Sequence, residues 1–180
     1  MYTLFREALR AAGITWRHRD RLIDRGDGIL ALIHPADNLP KTLLLNRTIP
    51  TLARLLAEHN SGQSEHCLRL RAAVHAGEVH YDSRGCFGEA LDLTCRLLDA
   101  PTLKSALRHT ASPLVLVVSD LIYQSVVRHG YPGIDQHAFH PLIQVRVAAR
   151  DHSGWFHDPG EQPMMSQARK LVLARQWLFS

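Results

Sequence analysis

The chain has 180 residues, 46% of them apolar, a formal net charge of +4 and a pI near 9.3. That is enough for one globular domain with its own core, so no disulfide or metal staple is required. The 21 basic residues are interleaved with 17 acidic ones and form no continuous stripe, which argues against a nucleic-acid partner, and no apolar run approaches the roughly 18 residues of a membrane-spanning helix.

Met1 leads straight into an amphipathic pattern with no basic-then-apolar leader. The three cysteines, Cys67, Cys86 and Cys95, include no Cys-x-x-Cys pair; a reducing cytoplasm is the expected compartment. Leu4, Phe5, Ala8, Leu9 and Ala12 recur at helical spacing, and Gly13 stands where a C-terminal cap belongs. Residues 21–24 and 29–33 read as the strands of a β-hairpin around Arg25-Gly26-Asp27-Gly28. A long helix is expected over 39–58, with Pro40 near its start and Pro50 bending or breaking it.

Residues 68–74 and 79–81 follow as strands flanking the turn at Ala76-Gly77-Glu78, then helices over 88–99 and 101–109. The unbroken apolar run 114–118 predicts a buried strand, with Ser119 or Asp120 capping the helix behind it and Gly130 ending that helix. Alternation predicts a strand over 139–149. Residues 151–163 are polar and contain Gly154, Pro159, Gly160 and Pro163, so they read as a connector to a final helix over 167–178. That helix would carry Leu171, Val172, Leu173, Trp177, Leu178 and Phe179, a docking or partner face. The order makes an α+β domain over residues 1–150, its mainly antiparallel sheet covered by helices, followed by the 151–180 connector and helix.

Two stretches point to a family. The hairpin Ile23-Asp24-Arg25-Gly26-Asp27-Gly28-Ile29 is followed by Arg71-Ala72-Ala73-Val74-His75-Ala76-Gly77 and by Phe87-Gly88-Glu89-Ala90-Leu91-Asp92 through Arg96-Leu97. In this order they resemble the metal-binding hairpin, the "R-x-G-I-H-x-G" strand and the "F/W-G-x-x-V-N-x-A-x-R-L" helix of class III nucleotidyl cyclases. The resemblance covers about residues 1–150 and is nearest to the cyclase-like domains of actinobacterial multidomain and accessory proteins.

The resemblance implies a ferredoxin-like, palm-type fold lacking its first strand, a head-to-tail homodimer or cyclase-like heterodimer, and a nucleoside triphosphate held on Mg2+ or Mn2+. Gly26, Asp27 and Gly28 would form the metal turn, with Asp27 as the second metal aspartate. The first belongs to an opening strand that would lie ahead of the helix at 2–12. Ile23 and Gly85 occupy the purine-reading positions, where neither can hydrogen-bond a base edge. Asp92 and Arg96 replace the transition-state Asn and Arg, four residues apart on one helical face. Arg146 or Arg150 is the only candidate for the terminal lysine.

The expected function is therefore a degenerate, catalytically silent cyclase-like module that responds to nucleotide or binds protein. An active enzyme making cAMP or cGMP from ATP or GTP remains the alternative if an upstream strand supplies the first aspartate. Plainer readings stand beside these. Asp27 serves equally as a turn residue, Arg96 as a solvated helix arginine, Asp92 as a surface or dimer-contact carboxylate, and His75 as a structural histidine. Glu78, His80 and Asp82 alternate on one strand face, a spacing open to a metal but ordinary for a solvent face.

Overall fold

The computed structural model describes residues 1–62 and 67–160; the helix expected over 167–178 lies outside them. The first helix, α1 (Tyr2–Ala11), buries Ala8 and Leu9. Its end is a Schellman motif: Ile14 N–H reaches the Leu9 carbonyl, Gly13 N–H reaches that of Arg10, and Gly13 takes φ +78°. Strands β1 (Ile23–Asp24) and β2 (Ile29–Leu30) pair antiparallel around the turn, where Gly26 takes φ +80° and donates to Asp24 Oδ1.

Pro50 does not interrupt the next helical stretch. Lacking an N–H for the Asn46 carbonyl, it forces a register change, and Leu44–Thr48 form a π turn that passes directly into α2 (Ile49–Ser61). Ile49 N–H accordingly bonds the Leu44 carbonyl five residues back. Leu52, Leu55 and Leu56 of α2 are buried.

Strand β3 (Leu70–Val74) is followed by the hairpin β4 (His80–Asp82) and β5 (Gly85–Phe87), helices α3 (Glu89–Asp99) and α4 (Pro101–His109), and strand β6 (Leu114–Ser119). After β6 come the short helix α5 (Asp120–Ser125), which Ser119 caps through Ile122 N–H, and strands β7 (His140–Val147) and β8 (Arg150–His157). A 3-10 turn at Val127–His129 separates α5 from Gly130, so the glycine expected to end that helix closes the turn instead, at φ +60°.

The main sheet has the order β3-β6-β8-β7, with β3 and β6 parallel and the other two pairs antiparallel. Residues 151–157, expected as a connector, are β8, a strand of this sheet. Polarity misled there because β8 fills inward positions with Gly154 and His152 rather than with apolar side chains, so composition reveals no alternation. β6 is buried along its whole length, since Leu114, Leu116 and Val118 face the α1/α2/α5 layer while Val115 and Val117 face α3 and α4. The fold is α+β, with helices on both faces of a largely antiparallel sheet.

β3 is an edge strand. Leu70 N–H bonds the Pro113 carbonyl, so alternation along β3 turns the backbone groups of Arg71 and Ala73 outward, where no strand among the described residues pairs with them. The β1–β2 hairpin forms a separate two-stranded sheet.

The β7–β8 turn stores strain. Val147 pairs with Arg150, leaving Ala148 and Ala149 as a two-residue loop with φ of +47° and +64°. Such loops need positive φ at both positions, which suits Asn-Gly far better than two alanines. Ala149→Gly is therefore expected to stabilise the protein by about 1 kcal/mol and to raise the melting temperature by about 2–4 °C, read by thermal unfolding monitored by circular dichroism.

Candidate functional site

A cavity of about 560 Å³ opens where the β1–β2 hairpin, the β4–β5 hairpin, the start of α3 and the β7–β8 turn meet. Its size lies within the range of small-molecule sites. Arg25 contributes the hairpin's cation, Phe87 an aromatic ring, and Glu89 and Asp92 the first-turn carboxylates of α3; Cys86 and Cys95 add two thiols. Phe87 is half exposed, 51% by area, and is available to a planar ligand.

Glycine sets this geometry twice. Gly88 takes φ +144° at the start of α3, where a Cβ would sit 3.1 Å from the Glu78 carbonyl oxygen. At Gly77 a Cβ would lie 2.7 Å from Ala90 Cβ, so only glycine lets α3 approach the end of β3 this closely. The far end of α3 is anchored by Arg71, whose Nη1 donates to the Leu98 carbonyl at 2.7 Å and lies 3.4 Å from Asp99 Oδ1. Leu97 is fully buried beneath it.

The two hairpins are tied together. Tyr81 Oη donates to Asp20 Oδ2 at 2.7 Å, and Asp20 Oδ1 lies 2.8 Å from His34 Nε2. The bond pushes the Tyr81 hydroxyl up to about 12 and holds Asp20 below the usual carboxylate range. This clamp fixes the cavity's outer wall.

The sequence-derived site residues divide between places. Asp92 lines the cavity together with Arg25, the neighbour of Gly26 and Asp27. Asp27 is exposed at the hairpin tip and Arg96 is exposed near the end of α3; neither lines the cavity, and neither makes a hydrogen bond or ion pair with the described residues. Ile23 is half-buried in β1, Gly85 opens β5 at φ +132°, and Arg146 and Arg150 are exposed on the β7–β8 hairpin. Asp82, one member of the alternating trio, spends Oδ1 on the amides of Arg84 and Gly85. Among the described residues no group of three or more His, Cys, Asp and Glu side chains is placed to hold a metal.

Sequence reasoning missed Arg25, Phe87 and Glu89 as cavity residues, because they meet only where two hairpins and α3 converge, and β5, which carries Phe87, is only three residues long. The Asp82-Ser83-Arg84-Gly85 turn is the signal that marks it. His75, expected as structural, places Nδ1 2.8 Å from Ser119 Oγ.

Comparison of the chain with protein-family models, with curated proteins and with solved structures finds no match. Among the described residues no helix is long and apolar enough to cross a membrane.

Proposed function

We propose that the chain is a degenerate class III nucleotidyl cyclase-like module that binds a nucleoside triphosphate without cyclising it and responds to it as a regulatory domain. One observation carries the reading: the hairpin and the α3 motif, which carry the resemblance independently, meet across a single cavity through Arg25 and Asp92. The base stacks on Phe87, Arg25 meets the phosphates, and the ribose hydroxyls donate to Glu89. Mg2+ or Mn2+ would accompany the triphosphate on its phosphate oxygens and waters, since magnesium needs few carboxylates; Asp27, exposed at the hairpin tip outside the cavity, is the carboxylate the resemblance offers it. The palm-type fold, the cytoplasmic location and a head-to-tail dimer belong to the same reading. In that dimer Asp27 of one protomer approaches the partner's Arg96.

Charge gives the test a direction. Asp92 stands beside the phosphates, and at about 4 Å in a solvated site a unit charge is worth about 1 kcal/mol. Asp92→Asn is thus expected to tighten ATP or GTP binding about fivefold. Arg25→Ala removes a charge-assisted bond and should weaken binding about tenfold or more. Calorimetric titration with each nucleotide, with magnesium and with manganese, measures both. Absence of saturable binding at millimolar nucleotide would overturn the reading.

A further inference from the structure

The end of the sheet beneath α3 holds a polar group that the cavity does not use. β3 and β6 run parallel and finish side by side, with Val74 opposite Val118, so His75 and Ser119 emerge together. Both continue the side-chain row of Ala73, Val115 and Val117, which faces α3. His152 joins them from β8, two residues before Gly154, which pairs with Ser119. The three side chains share one face of the sheet under the start of α3.

Their hydrogen bonding suits uncharged imidazoles. Ser119 Oγ accepts from Ile122 N–H at 3.4 Å and lies 2.8 Å from His75 Nδ1. A neutral His75 can accept the Ser119 O–H there; protonation reverses the bond and makes Oγ the acceptor of two N–H groups. His152 Nε2 is buried with no hydrogen-bond partner among the described residues, so a donor hydrogen there finds no acceptor. A Cβ at Gly77 would stand 3.3 Å from His75 Nε2 and 2.7 Å from Ala90 Cβ, which puts the ring against the first turn of α3. The positive end of a helix is a poor neighbour for a cation.

The helix meets this group at its uncapped end. Gly88 supplies no side-chain cap to the first turn, whereas Arg71 and buried Leu97 hold the last one. We propose that His75, Ser119 and His152 form a proton-operated latch, closed against the first turn of α3 while the His75 imidazole is neutral and released when it charges. The released turn carries Glu89, Leu91 and Asp92, so the cavity wall moves with the latch.

Burial holds His75 below the ordinary histidine range, and nearby His152 lowers it further. The closed state therefore resists the proton that the open state accepts. Its stability is fully present above the free-histidine value of about 6.5 and falls as pH drops below that toward the closed-state value. The other ionisable groups here do not reverse the sign. Glu89 and Asp92 on α3, Glu78 after β3, and Asp151 beside His152 are exposed and bond neither ring.

Hydrogen exchange on the whole chain at pH 7.5 and 5.5, corrected for intrinsic rates, tests the latch. Peptides covering the first turn of α3 are expected to lose protection about tenfold per pH unit for each proton taken up, while peptides from α2 and β6 stay protected. In the His75→Gln, His152→Gln double variant the α3 dependence should flatten. The latch is refuted by equal α3 protection at both pH values, by an unchanged dependence in the double variant, or by loss of protection in all peptides together. Should that variant not fold, a proton NMR titration of the wild-type His75 imidazole decides: a midpoint below about 6.5 supports the latch, and an ordinary or raised one overturns it.

Discussion

Replacing Gly154 with alanine is expected to cost about 1–3 kcal/mol and to lower the melting temperature by about 2–12 °C; valine at this position is expected to prevent folding. Gly154 is buried in β8 at the point where three elements converge. A Cβ there would lie 2.7 Å from Leu97 Cδ2 of α3, 2.9 Å from Val117 Cγ2 of β6 and 3.1 Å from Ile143 Cβ of β7. All three neighbours are themselves buried, so none can swing into solvent to make room.

The same crowding predicts a specific rescue. Leu97→Ala alone should cost about 2–5 kcal/mol as a large-to-small core change. Combined with Gly154→Ala, it vacates the space the new methyl needs, so the double variant should be more stable than the sum of the single losses implies. Chemical denaturation of the four proteins checks this; strict additivity would mean that the sheet shifts as a whole to accept the methyl.

Where local chemistry decides an element, the sequence was readable. Helical spacing and Gly13 define α1, turn glycines define the first hairpin, and five consecutive apolar residues announce β6, which is buried along its whole length. Pro50 was readable as a disturbance but not in kind, because whether a proline kinks a helix or shifts its register depends on how the flanking turns pack. β8 was not readable: its inward positions include Gly154 and His152, which carry no apolar period, and only the close approach of Leu97, Val117 and Ile143 explains them.

The site was legible to a similar degree. The resemblance directed attention to the hairpin and to α3, and both border the cavity, yet it named Asp27 and Arg96, which point elsewhere within the single chain. It passed over Arg25 and Phe87, whose roles come from a hairpin-to-hairpin contact set by the Tyr81–Asp20 bond. The His75–Ser119–His152 group joins three strands separated by up to 77 positions, as His75 and His152 show, a proximity that no local pattern encodes.

The account also requires that the chain make no cyclic nucleotide. Two-metal cyclisation needs ions held on both the attacking and the leaving oxygen, and of the two aspartates the resemblance calls for, residues 1–160 supply a match only for Asp27. Nearby Asp24 already ligates the Gly26 amide through Oδ1. In the proposed reading Ile23 and Gly85 leave the purine unoriented, and misplacement of a reacting group by about 1 Å costs about a hundredfold in rate. In the same reading Asp92 adds repulsion where an amide would orient the ribose.

The direct measurement is an overnight incubation of concentrated protein with ATP or GTP, each with Mg2+ and with Mn2+, read by mass spectrometry beside an Asp27→Ala control. The expected result is no 3′,5′-cyclic product above the control in any of the four combinations. Cyclic product that forms with the wild-type chain and disappears in Asp27→Ala would contradict the account and establish an active cyclase.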